Sequence, residues 1–236
     1  MTTPRVVHLL SLVAVAVVAV TPAQAQPSGP PSWRPWWPIV AVGGTLSGAE
    51  SLGVRTIEAR AVAVGTATPP AFTLFRAEST LGHRVGGDLA IALPVTPTLA
   101  VEARGTVARP TLTTRLSGDS EGATGDASTE RVTDVEIGGR VSWLVPAGPW
   151  PRRLRPFVAA GGAYVRQLHQ DRILVETGSA WRADLGTHVW LRGGHRHGLA
   201  LGLTAEMGWH WRTGGITFDD GVRSAPAAAV RMFAGF

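Results

Sequence analysis

The chain has 236 residues and a net charge of +5, and all 22 basic residues are arginine, with no lysine, asparagine or cysteine anywhere. Lacking cysteine, it is neither a lipoprotein nor a small secreted domain stapled by disulfides. The arginines are scattered through alternating segments instead of forming one stripe, which argues against nucleic-acid binding.

At the N-terminus Arg5 supplies a positive region, Leu9–Val20 is a short apolar run and Ala23-Gln24-Ala25 is a small-x-small site. This pattern predicts a signal peptide over 1–25, cleaved after Ala25. No other run reaches the roughly 18 apolar residues of a spanning helix. Residues 26–38 form a leader rich in Pro and Trp. Proline cannot donate to a ladder, so this is an extended tether. Its Trp33, Trp36 and Trp37 read either as interfacial anchors or as a plug against the mouth of the following domain.

From residue 39 onward the apolar period is two. Ile39–Ser47 is the expected first strand, with Val40, Val42 and Leu46 on one face. Val54–Gly65 reads as a rival or an additional strand. Leu81–Leu93 sets Leu81, Val85, Leu89, Ile91 and Leu93 against Arg84 and Asp88. Leu99–Ala108 sets Leu99, Val101 and Val107 against Glu102, Arg104 and Thr106. Thr133–Val145 opposes Val135, Ile137, Val141 and Trp143 to Asp134, Glu136 and Arg140. Arg155–His169 is blurred by Gly161 and Gly162; Tyr164 and Arg166 are placed inward here. Further on, Leu185, Val189 and Leu191 oppose Asp184, His188 and Arg192. Leu199–Trp211 then opposes Leu201, Leu203, Met207 and Trp209 to Glu206 and His210. Such alternation predicts half-buried strands.

The connections alternate in length. Short ones fall at Pro94–Pro97, Pro146–Leu154 and Gly193–Arg196, and longer links at about 48–79, 109–131, 170–181 and 212–224. Short turns on one side and long loops on the other predict an all-β, eight-stranded antiparallel up-and-down transmembrane barrel over 39–236. Both termini then sit on the short-turn, periplasmic side. A soluble calycin-like barrel is the alternative, and it would require every strand to be turned inside out.

The last strand is the clearest. Ala234, Met232, Val230, Ala228 and Pro226 share the face of the terminal Phe236, against Phe233 and Arg231 on the other. On this pattern the lumen receives Arg84, Asp88, Glu102, Arg104, Asp134, Glu136, Arg140, Asp184, His188, Arg192, Glu206, His210 and Arg231. An eight-stranded barrel has an interior that side chains fill. Paired arginines and carboxylates there satisfy one another, since unpaired buried charge is costly. The expectation is a polar plug, with a narrow water path as the alternative.

Catalysis is not expected. His169, His188, His195, His197 and His210 have no compact Ser/Asp partners, and a Ser-His-Asn arrangement is excluded for want of asparagine. His195-Arg196-His197 has the spacing of a weak metal site with no acid beside it. Asp119, Glu121 and Asp126 could hold Ca²⁺ between lipopolysaccharide phosphates, although their small, acidic segment reads equally as disordered. No cofactor is implied.

The closing Val230-Arg231-Met232-Phe233-Ala234-Gly235-Phe236 and the segment Arg155-Pro156-Phe157-Val158-Ala159-Ala160-Gly161-Gly162-Ala163-Tyr164 resemble small bacterial outer-membrane barrels of the OmpA/OmpX and OmpW type. The resemblance implies residence in the outer membrane among lipid and lipopolysaccharide. It also implies an assembly signal at Phe236, Phe233, Met232 and Val230 read by the barrel-assembly machinery. A structural or surface-interaction role follows, or, on the OmpW pattern, a narrow conduit for small or apolar compounds. The chain departs from these proteins in having a single Tyr, so Trp, Phe and Arg must supply the girdle. Oligomeric state is not legible.

Overall fold

Period-two alternation makes strands, and strands are what forms. A computed structural model describes residues 38–60, 71–118, 127–145, 153–170, 173–192, 200–218 and 221–235. The expected signal peptide with Ala23 and Ala25, the leader tryptophans, residues 119–126, the His195–His197 segment and Phe236 lie outside them. Among the described residues the strands are β1 (Ile39–Ser47), β2 (Glu50–Arg60), β3 (Ala71–Leu81), β4 (Arg84–Pro94), β5 (Leu99–Ala108) and β6 (Thr111–Ser117). They continue as β7 (Ala127–Arg131), β8 (Thr133–Leu144), β9 (Leu154–Leu168), β10 (Val175–Arg192), β11 (Ala200–Gly214) and β12 (Arg223–Gly235).

Eight of these close a barrel in the order β1-β12-β11-β10-β9-β8-β5-β4. The pairings are antiparallel throughout, and the seam sets Ile39 opposite Gly235 and Ser47 opposite Ala227. The eight-stranded antiparallel architecture expected from the alternation is therefore present. The outer face carries Val42, Val85, Leu89, Leu93, Val101, Ile137, Val141, Leu185 and Met232, all exposed. Along β4 the run from Val85 to Leu93 is about 27 Å of strand, or about 20 Å of height at a tilt of about 40°. Trp143 stands at the short-turn end of this band, and Tyr164, Trp181 and Trp209 at the other, all exposed. Amphipathic rings at both edges of an apolar band are what a bilayer interface selects.

Three expectations need correction. The run at 81–93 is not one strand: Leu81 ends β3 and is buried, and the barrel strand starts at Arg84. Tyr164 and Arg166 face outward and are exposed, because Val165 and Gln167 take the inner face of β9. The supposed links at 48–79 and 109–131 are largely strand. β2, β3, β6 and β7 form a four-stranded sheet in that order. It repeats the barrel sequence β1-β4-β5-β8 strand for strand, so it continues one wall of the barrel beyond the long-connection rim. Leu52, Leu81, Leu112 and Val132 form its buried core, with Ile216 from the opposite wall packed against them. Few side chains are needed for so small a core, which is why the apolar signal over these links is faint.

Two glycines let the interior fill. Gly43 on β1 lies in register between Asp88 and Arg231, and Gly161 on β9 lies between Arg140 and Arg182. A Cβ at either would run into the backbone of the neighbouring strand. Close approach of backbones is a standard reason for glycine within a strand.

Candidate functional site: the filled lumen

The inward faces stack into three layers. At mid-barrel, Arg104, Arg140, Arg182 and Arg231 meet Asp88, Glu102, Asp184 and Glu206, four cations against four anions from six strands. Glu206 is the hub. It accepts from Arg104 at 3.0 Å, Arg140 at 2.8 Å, Arg182 at 3.5 Å and Arg231 at 2.5 Å. Arg140 ties three strands together through Glu102 at 2.8 Å, Asp184 at 3.2 Å and Glu206. Asp88 bridges Arg104 and Arg231. All eight side chains are at most 13% exposed. Each charge has several opposite partners, the condition under which burial of ions is tolerable.

Toward the long-connection rim lies a second ionic layer. Arg212 donates to Asp134 through both terminal nitrogens, at 2.6 and 2.8 Å, and also to Glu136. Gln167 donates to the same Asp134 at 2.9 Å and accepts from the Ile216 amide at 2.8 Å. Arg84 donates to Ser47 at 2.7 Å and to Nδ1 of His210 at 2.8 Å, and pairs with Glu50 of β2 at 2.8 Å. That last contact fastens the extramural sheet to the lumen. Arg223 donates to the carbonyls of Ile216 and Gly214, fixing the turn between β11 and β12.

Toward the short-turn end the filling is aromatic. Phe157 stacks on His188 with centroids 4.6 Å apart, and Phe233 meets His188 edge-on at 5.6 Å and Trp190 at 4.6 Å. His188 is hydrogen-bonded to the Thr204 hydroxyl at 2.8 Å. The Arg140 guanidinium lies 5.7 Å from the Phe157 ring centre, joining this layer to the ionic one.

The chain folds as a transmembrane-type eight-stranded β-barrel. No protein-family model matches it, and no curated protein matches it in sequence. Among solved structures, the outer membrane protein OprG from Pseudomonas aeruginosa aligns at 10% identity over 85% of this chain and 96% of that one, with a TM-score of 0.49. The outer membrane protease OmpT from Escherichia coli aligns at 11% identity over 86% and 97%, with a TM-score of 0.36. An outer membrane channel from Pseudomonas putida F1 aligns at 12% identity over 90% and 100%, with a TM-score of 0.19. At these values the architecture of the barrel rests on its own closed strand order and outer face.

Of the thirteen lumen residues expected from parity, twelve have described side chains, and all twelve lie on inward faces of the barrel. The side chain of Arg192, at the end of β10, is not among those described. Sequence reasoning missed Arg182, Arg212 and Arg223, although each shares the parity of lumen residues on its own strand. It also missed Glu50 and Gln167, and the plugging role of Phe157 and Trp190. Of the residues expected to form an assembly signal, Val230 and Met232 face outward and Phe233 faces the lumen. His169 lies outside the lumen set and contacts Glu130 at 3.0 Å. Among the described residues no group of three or more His, Asp or Glu side chains is placed to hold a metal.

Proposed function

We propose that this protein is a bacterial outer-membrane barrel whose lumen is a fixed plug, with a structural or surface-interaction role and no transport through its centre. The observation that carries this reading is the mid-barrel layer of four arginines and four carboxylates, which crosses the whole lumen. Export by the signal peptide over 1–25 and assembly through the closing strand belong to the same proposal. There Phe236 with Met232, Val230 and Phe233 is the handle for the assembly machinery. Outer-membrane lipid is the immediate partner.

The rival reading, a narrow conduit for small or apolar compounds, would have to pass through spaces such as two lumen cavities of about 40 and 30 Å³ among the described residues. Spaces of that size hold a few water molecules at most. Arg140 borders both, so the ionic layer divides them. Planar-bilayer recording on refolded protein tests the choice: silence is expected from the native chain. Step-like conductance from the native chain would replace the plug by the conduit. Silence from the native chain together with conductance from Arg140→Ala would locate the plug in the ionic layer.

A further inference from the structure

The outer wall of β5, β8 and β9 differs from the rest of the barrel surface. Its rows, set by register, are Val107–Val135–Arg166, then Gly105–Ile137–Tyr164, then Ala103–Gly139–Gly162. Arg109 follows the end of β5 and Arg131 ends β7, both at the rim where this wall passes into the extramural sheet. Arg109, Arg131 and Arg166 are exposed and have no ion-pair partner among the described residues. The carboxylates of these barrel strands, Glu102, Asp134 and Glu136, are turned into the lumen and used there. The exposed Arg115 higher on the sheet differs, since it stands opposite Glu78.

Three guanidinium groups with no counter-charge among the described residues thus sit directly above an apolar wall. Below them Ala103 and Gly139 are small, and the Trp181 ring lies against Gly162, so a shallow trough in the apolar band has the indole as one wall. We propose that this face binds a phosphate-bearing lipid, with its headgroup phosphates on Arg109, Arg131 and Arg166 and an acyl chain laid along the trough. Arginine is suited to the task because its planar fork donates two parallel hydrogen bonds to a phosphate. Adjacent strands are about 4.8 Å apart, so β5 and β9 stand about 10 Å from each other across β8. That span suits a headgroup carrying two phosphates. A free anion would have no use for the apolar rows beneath, which is why a lipid is the assigned occupant. The inference rests on the outer-membrane reading above.

The test uses the full mature chain refolded into neutral-lipid nanodiscs doped with diphosphoryl lipid A or with its dephosphorylated form. Retained lipid is counted by native mass spectrometry after detergent extraction. The native protein is expected to retain the diphosphoryl form and not the dephosphorylated one. The triple substitution Arg109→Gln, Arg131→Gln, Arg166→Gln should weaken retention about a hundredfold, each arginine near an anionic surface contributing about a factor of five. The double substitution Arg76→Gln, Arg115→Gln should leave it unchanged. Equal retention by the triple variant, or displacement of the lipid by inorganic phosphate, would overturn the proposal. If the native chain folds in the bilayer without arginine-dependent retention, this inference alone fails. A chain that never enters the bilayer overturns the barrel reading and this one with it.

Discussion

Glu206 shows how much one side chain can organise. Four arginines from β5, β8, β10 and β12 converge on its two oxygens. Glu206→Leu removes the hub and leaves buried cations in excess, so about 3–5 kcal/mol of stability should be lost. The measurement is the urea midpoint at which the refolded chain loses its compact gel migration. A midpoint equal to the native one would mean the lumen is wet enough to solvate the arginines. On the other face, Leu185 is 62% exposed in the apolar band, and Leu185→Arg should cost about 2–4 kcal/mol in a bilayer. The same substitution should be nearly silent in a detergent that lets the guanidinium reach water. Parity made these faces readable because charge and Leu or Val alternate without a break on most strands. It failed at Tyr164 and Arg166, where Gly161, Gly162 and Ala163 carry too little side chain to mark either face.

At the scale of elements, what escaped the sequence was most of the extramural sheet: only the run Val54–Gly65, which overlaps β2, reads as a possible additional strand. A strand buried on one face needs an apolar residue at every second position, but β6 is TLTTRLS and β7 is ASTER. Threonine and serine pair across strands, as the Ser79 and Thr114 hydroxyls do at 2.7 Å. They leave no hydrophobic period to detect. What holds these hairpins is register inherited from the barrel strands below, a tertiary cause invisible in a local window. The sheet's own core is small, so Leu52→Asp should release the β2–β3 hairpin and leave the barrel closed. Trypsin should then cut after Arg55 or Arg76 while heat-modifiable migration is retained. Loss of both together would make the sheet part of the barrel's cooperative unit.

At the scale of the whole molecule, the seam between β1 and β12 dominates, since it joins the first and last strands of the barrel and closes it. Gly43 sits on that seam, and a side chain there would strike the carbonyl of Val230. Gly43→Val should therefore slow closure more than it disturbs any single hairpin, and band-shift kinetics should show an inserted but protease-sensitive species accumulating. A refolding rate equal to the native one would mean that the seam forms early. The seam also carries a biological consequence in its timing. β1 can find β4 as soon as both exist, yet its other edge has no partner until β12 is made. Every prematurely ended chain that has made β1 through β11 therefore presents two bare strand edges, each a template for joining another chain. Such a product cannot serve as a lesser version of the protein. It is either degraded or becomes the nucleus of an aggregate, so closure of the barrel is checked at β12.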